Sequence, residues 1–173
     1  CTPTLSLHAL PQPVADFARD NPSIRLDMRQ AHSALLAKML HDGHVDLVIG
    51  PPEIAASVPE TEAVPLFSSP VVILASRFHP LAGRKTITNQ DLNDARWILH
   101  QPGTGIRDAT DILLRRLGVN QTLQASELPS NMILALLRLG DHLAALPRYV
   151  LKNIDIAGEL VQIASEEPPV LLG

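Results

Sequence analysis

The chain has 173 residues, 46% of them apolar and 18% charged, with a formal net charge of −4. That length and composition suit one domain or two small lobes with a real core, and exclude a disordered chain. The 14 basic residues are scattered, with Arg115-Arg116 the densest pair, so the clustered Lys and Arg of a phosphate-binding surface are missing.

The chain opens on CTPT, two threonines around a proline, ahead of an apolar stripe. Cys1 is the only cysteine, which excludes an internal disulfide framework and fits a reducing compartment. Position 1 is not Met, so a processed product or an excised piece is expected. Leu7, Leu10, Val14 and Phe17 fall three, four and three apart, one face of a helix. Pro11 and Pro13 each remove a backbone donor, which predicts distorted first turns in a single helix ending before Asn21-Pro22. In IRLDMRQ, Ile24, Leu26 and Met28 alternate with Arg25, Asp27 and Arg29, the pattern of a strand with one wet face. Ser33 stands where an N-cap is expected and Gly43 at a C′ position, which predicts a helix over about 33–42. VDLVIG, residues 45–50, reads as a strand covered on both faces. Strand, helix and strand in this order form a βαβ unit and imply parallel pairing.

The pattern then shifts. PPEIAASVPET, residues 51–61, reads as a Pro-rich loop, and AVPLF and PVVILA as two strands. A short helix is expected at Asn89–Leu92, a strand at RWILH (96–100), a loop at QPGTG, and a helix over about 106–117 closed by Gly118. A strand around TLQASE and a helix over about 130–139 closed by Gly140 follow. LAALP reads as a buried strand, RYVLKNI as a short helix, and LVQIA and VLL as final strands. Two α/β patterns divided near residues 70–80 predict two lobes. No run approaches the roughly 18 consecutive apolar residues of a membrane span, and no signal peptide is visible.

Four landmarks then resemble one family in order and at workable spacing. LPQPVADFARDNPSIRLDMRQ, LLAKMLHDGHVDLVIGP, VVILASRFHPLAG and LRLGDHLAALP are similar to the effector-binding domain of LysR-type transcriptional regulators over nearly the whole chain. The resemblance implies an α/β, two-lobed periplasmic-binding-protein-like (type 2) fold. Each lobe would hold a mixed, mostly parallel sheet flanked by helices, joined by crossover strands, with a small-molecule cleft between lobes. Residues 1–73 plus 163–173 would form the first lobe and 74–162 the second. The family carries a strand before the position of Cys1 and further elements after VLLG, so a chain trimmed at both ends is expected. The family's DNA-binding domain would lie upstream, outside this sequence. His142 stands where the family more often has glycine.

In open α/β sheets ligands bind beyond the carboxyl ends of parallel strands, where helix starts offer unpaired N–H groups. Thr2 and Thr4 begin the first predicted helix, Ser33 the second, and Thr104 with Gly105 precedes a third. The resemblance implies effector contacts at Thr2, Thr4 and Ser33, with Thr104 and Gly105 as candidates in the second lobe. His32 and His100 are candidates for sensing a carboxylate. Ser33, Thr4, Ser130 and Asn131 can equally act as plain helix caps. Arg107 could take an acidic group, or pair with Asp108 or Asp111 on its own helix. His41, Asp42, His44 and Asp46 straddle a helix end and a strand start, so their side chains should diverge and no metal site is expected. PGTGIRDAT lacks the GK[ST] ending of a phosphate loop, and no serine has a G-x-S-x-G setting.

The expected role is therefore sensing: a small effector, a carboxylate or other anion, alters DNA binding and transcription through attached domains. Neither enzyme activity, a cofactor, a metal nor a membrane partner is expected. The resemblance implies a cytoplasmic homodimer, assembling into a homotetramer at full length, that meets DNA only through the upstream domain. The rival is a periplasmic solute-binding protein of a transporter, in which Cys1 would carry a lipid. Against it, a lipid anchor needs a tether, and the first helix starts within a few residues of Cys1.

Overall fold

The computed structural model describes residues 1–120, 125–152, 158–164 and 170–172. The chain divides into two compact units between Phe67 and Ser68, where the sequence placed the division after residue 73.

In the first unit the apolar stripe after CTPT forms two helices, α1 (Pro3–His8) and α2 (Pro11–Asp20), in place of the single distorted helix expected. Pro11 is the reason: at the first position of α2 its missing N–H is one that a helix start leaves unbonded anyway. Helix α3 (Ser33–His41) ends at Gly43, whose φ of +69° lets His44 N–H reach Met39 O at 2.8 Å and Gly43 N–H reach Leu40 O at 3.2 Å. These paired bonds stop the helix where the glycine predicted. Helix α4 (Glu53–Ser57) lies inside the segment expected as a loop. Leu10, Leu36, Ile54 and Val58 are the buried apolar side chains of this unit.

Among the described residues, 24–30, 45–50 and 63–67 form no helix and join no strand ladder. The expected strands at IRLDMRQ, VDLVIG and AVPLF are corrected to that extent. Alternation dictates an extended backbone with one apolar face, but a ladder also needs a neighbouring backbone in register. Ile24, Leu26 and Met28 accordingly stay 50%, 43% and 48% exposed.

The second unit carries the sheet. Its strands are β1 (Ser69–Ser76), β2 (Arg96–His100), β3 (Ala125–Leu128), β4 (His142–Pro147), β5 (Leu160–Gln162) and β6 (Val170–Leu172). The order is β3-β2-β4-β1-β5, with β6 also paired to β1. β2 runs parallel to β3 and β4, while β1 runs antiparallel to β4, β5 and β6. The mixture is thus parallel on one side and antiparallel on the other. The final strand pairs with β1 at Ser69–Val71, and β1 runs unbroken through residue 73.

Alternate residues of these strands face opposite ways. Val71, Ile73, Trp97, Leu99 and Leu143 pack with α5 (Asn89–Asp94) and α6 (Gly105–Arg116). Val72, Leu74, Ile98, Ala144 and Leu146 pack with α7 (Ser130–Leu139) and the 3₁₀ turn Arg148–Lys152. The connection from β2 steps outward to β3, and the next returns across β2 to β4. Two crossovers of one hand in opposite directions put α6 and α7 on opposite faces. That is why PVVILA, WIL and LAALP are apolar at every position. Gly118, with φ +62°, closes α6 through Val119 N–H to Leu114 O at 2.9 Å, as Gly43 closes α3. Of the expected strand TLQASE, residues 122–124 lie outside the described residues, as do Asn153 and Ile154 of RYVLKNI.

Helix α5 begins with a capping box. Asp91 N–H donates to the Thr88 hydroxyl at 3.2 Å, and the Asp91 carboxylate accepts from Thr88 N–H at 2.8 Å and from the Thr88 hydroxyl at 2.6 Å. The Thr88 hydroxyl and N–H, then Arg84, hold the Asp91 carboxyl down at about 2. Its folded value lies below its unfolded one, so its contribution is present above about pH 4 and lost as pH falls toward 2. Asp91→Asn is expected to flatten the stability curve in that window, measured by urea unfolding at stepped pH. Trp97 is buried and its indole N–H donates to Leu92 O at 2.8 Å. Trp97→Phe leaves that buried carbonyl without this donor and is expected to cost about 1–3 kcal/mol in denaturant unfolding.

Candidate functional site

In the first unit, backbone pairing brings two helix starts together. The Cys1 nitrogen donates to Arg29 O at 2.8 Å, and Ala31 N–H donates to Cys1 O at 3.2 Å. These bonds flank Gln30 in the manner of neighbouring parallel strands. Each segment then turns into a helix within three residues, one at Pro3 and the other at Ser33. Thr2–Thr4 and His32–Ser33 are therefore neighbours. Gly50 joins them, since a Cβ there would lie 3.6 Å from Thr2 Cγ2 and 2.6 Å from Ile54 Cδ1. The glycine lets the end of the 45–50 segment pass close to the start of α1.

Thr2 is the N-cap of α1, with extended φ and ψ of −73° and 155° and its carbonyl accepting from Ser6 N–H at 3.1 Å. Its side chain makes no capping bond, so the hydroxyl is not used by the helix it precedes. Thr4 is buried in the first turn of α1. The expectation for Ser33 needs correction. His32 is the N-cap of α3, with φ −75°, ψ 159° and Leu36 N–H donating to its carbonyl at 3.0 Å, and Ser33 is the first helical residue. The helix starts one residue earlier than a serine cap requires, and the exposed His32 ring makes no capping bond.

In the second unit, the parallel strands β2, β3 and β4 end at one edge, at His100, Leu128 and Pro147. The turn 101–104 leaves that edge and enters α6. Thr104 is a true cap: its hydroxyl accepts from Arg107 N–H at 3.3 Å and donates to Gln101 O at 3.1 Å. Gly105 is the first residue of α6. The amides of Arg107 and Asp108 both bond to Thr104 O, at 2.9 and 3.1 Å, which leaves those of Gly105 and Ile106 as the forward-facing donors of this helix start. His100 is buried at the end of β2, where the sequence reading allowed a solvent-facing ring. Ser130 is likewise the first residue of α7, and Pro129 is its cap residue.

Arg107 does not stand open to solvent. Its side chain is 13% exposed, with Nε donating to Asp111 at 2.8 Å and one terminal nitrogen donating to Glu127 at 2.7 Å and to His100 O at 2.9 Å. Burial works against its charge, but the bonds to Glu127 and Asp111 outweigh it and hold the guanidinium above its ordinary value. The i,i+4 spacing announces Asp111 in the sequence; Glu127, on another element, has no local signal. Ser69 was missed as well. Its hydroxyl accepts from Tyr149 N–H at 3.3 Å at the edge where β4 ends, an adjacency set only by the β1–β4 register.

Asp42, weighed as a metal ligand, pairs with Lys38 at 2.6 Å. Among the described residues no three His, Cys, Asp or Glu side chains are placed to share a metal ion, and no helix is long and apolar enough to cross a membrane.

Comparison with known proteins completes the picture. The sequence model of the LysR substrate binding domain matches residues 1–171. The HTH-type transcriptional regulator GalR of Pseudomonas putida is 28% identical over 157 residues, covering 89% of this chain and 39% of the relative. The HTH-type transcriptional regulator CbbR of Cereibacter sphaeroides is 32% identical over 151 residues, covering 86% and 48%. The chain thus spans about half the length, or less, of the curated relatives it matches. Among solved structures, the Synechocystis PCC6803 CcmR regulatory domain in complex with 2-PG superposes with a TM-score of 0.75 at 25% identity, over 99% of this chain and 81% of that one. The cofactor-binding domain of the Cbl transcriptional regulator gives 0.77 at 19% identity, over 99% and 74%, a likeness of fold. These relatives are transcriptional regulators, so the transporter reading is not favoured. The two-unit α/β chain is a type 2 periplasmic-binding-like domain, and it belongs to the LysR substrate-binding family, the effector-binding part of LysR-type regulators.

Proposed function

We propose that this domain senses a small anionic metabolite for a transcriptional regulator whose DNA contacts are made by a domain outside this chain. The groups that receive the effector are the helix starts at Thr2, Thr4, His32 and Ser33 in the first unit, and His100, Thr104 and Gly105 in the second. The supporting observation is the crowding of chain starts: α1 and α3 begin side by side, and neither the Thr2 nor the His32 side chain is used to cap its helix. Helix starts concentrate partial positive charge and free N–H groups, which favours an anion by about 0.3–1 kcal/mol for each helix. The 2-PG held by the CcmR regulatory domain supports a small effector.

Thr104 acts here mainly through shape. Its hydroxyl is committed to Gln101 and to Arg107 N–H, so the effector meets the Gly105 and Ile106 amides that this cap holds forward. The domain performs no chemistry on its ligand. It works through differential affinity for two conformations of a cytoplasmic homo-oligomer.

The test is a thermal-shift screen with 2-PG and a panel of small carboxylates. A binder at 100 times its dissociation constant is expected to add about 2.7 kcal/mol of stability, with no turnover of the compound. Ser33→Ala and Thr104→Ala are each expected to weaken the response about tenfold in apparent affinity. Thr104→Ala also costs about 1 kcal/mol of stability without ligand, as a lost cap should. Equal responses from wild type and both variants would remove these residues from the site.

A further inference from the structure

The guanidinium of Arg107 lies at the same edge as the turn 101–104 and is the obvious candidate for binding an anion directly. Its bonds point elsewhere. Three of its five N–H groups are taken, by Asp111 on α6, Glu127 on β3 and the carbonyl of His100, the last residue of β2. Two carboxylates face it, so an incoming anion would meet their negative charge and would have to displace one of them.

The turn beside it is built to hold one conformation. Gly103 adopts φ +79°, which reverses the chain. The Thr104 hydroxyl ties Gln101 O to the first turn of α6. Gln101 O and His100 O are the carbonyls at the turn's entrance, and Arg107 holds the second of them. The planar fork of an arginine can bond a carbonyl and two carboxylates on three elements at once, which a lysine cannot.

We infer that Arg107 is a positioning residue: it locks the 101–104 turn to α6 and β3, so that the Gly105 and Ile106 amides are preset for the effector, and it does not bind the effector itself. The ligand half of this statement rests on the function proposed above; the locking of the turn does not. A preset turn spends less of the effector's binding energy on ordering the chain.

Two measurements on the whole chain separate the possibilities. The first needs no ligand. Amide hydrogen exchange reads local opening, and the amides of residues 107 and 108 bond to Thr104. In Arg107→Gln they are expected to exchange about tenfold faster, with the amides of β4 unchanged. Glu127→Gln, which removes a half-exposed partner and leaves the arginine in place, is expected to give a smaller rise. Arg107→Lys keeps the charge, loses the fork, and is expected to behave as the glutamine variant. Exchange at 107 and 108 unaltered in Arg107→Gln, or restored by lysine, overturns the inference.

The second is titration with 2-PG, followed by thermal shift. A positioning role predicts weaker binding in Glu127→Gln, by about threefold, because the turn loosens. An arginine that binds the anion directly predicts the opposite sign, since losing a competing carboxylate frees it. Tighter binding in Glu127→Gln would therefore overturn the inference. A wild-type chain that responds neither to 2-PG nor to any carboxylate of the panel would count against the proposed function alone, and the exchange result would still decide the role of Arg107.

Discussion

Burial of both faces of β1, β2 and β4 is the constraint on which the second unit depends. Every residue from Val71 to Ala75 is buried, as is every residue from Leu143 to Pro147. A strand in that position cannot be half polar, and helices must cover it from both sides. Helices α5 and α6 do so on one face, and α7 with the following 3₁₀ turn on the other. Once that packing is set, the ends of the parallel strands are fixed in space. The loops leaving them can then vary in composition without endangering the core.

The candidate groups of this unit sit on that scaffold. His100 ends β2, the 101–104 turn follows, and α6 starts at Gly105 behind the Thr104 cap. The same sheet brings Glu127 of β3 beside Arg107 of α6, through the parallel pairing of Leu99 with Glu127. The polar groups at this edge thus depend on apolar packing below them. The first unit is organised differently. Its buried apolar set is small, its segments between helices carry exposed apolar side chains, and its helix starts are aligned by backbone bonds at Cys1, Arg29 and Ala31.

Much of the secondary structure was legible in the sequence because its signals are short in range. RWILH is the strand Arg96–His100, and the helix from 130 to 139 is Ser130–Leu139. Gly43 and Gly118 end α3 and α6 through the positive φ that their lack of Cβ permits. The family landmarks were legible for a related reason, since turns such as HPLA carry local bonds. There His79 Nδ1 accepts from Leu81 N–H at 3.1 Å. The candidate site was legible only in part. Threonine and serine next to a helix pattern mark its start, yet Thr104 proved to be a cap while Ser33 proved to follow one. A shift of a single residue separates these outcomes, and the periodicity of apolar side chains does not resolve it.

By itself the sequence determined most of the helices and the strands of the second unit's sheet, where two helices stop, and to which family the chain belongs. Each of these follows from residues within about four positions of one another, or from short motifs in a set order. Tertiary structure decided which of the alternating segments acquire a ladder. It also decided that His100 is buried and that Arg107 finds Glu127, 20 positions along the chain. Those outcomes depend on register and on which backbones lie side by side, and no local pattern of side chains carries that information.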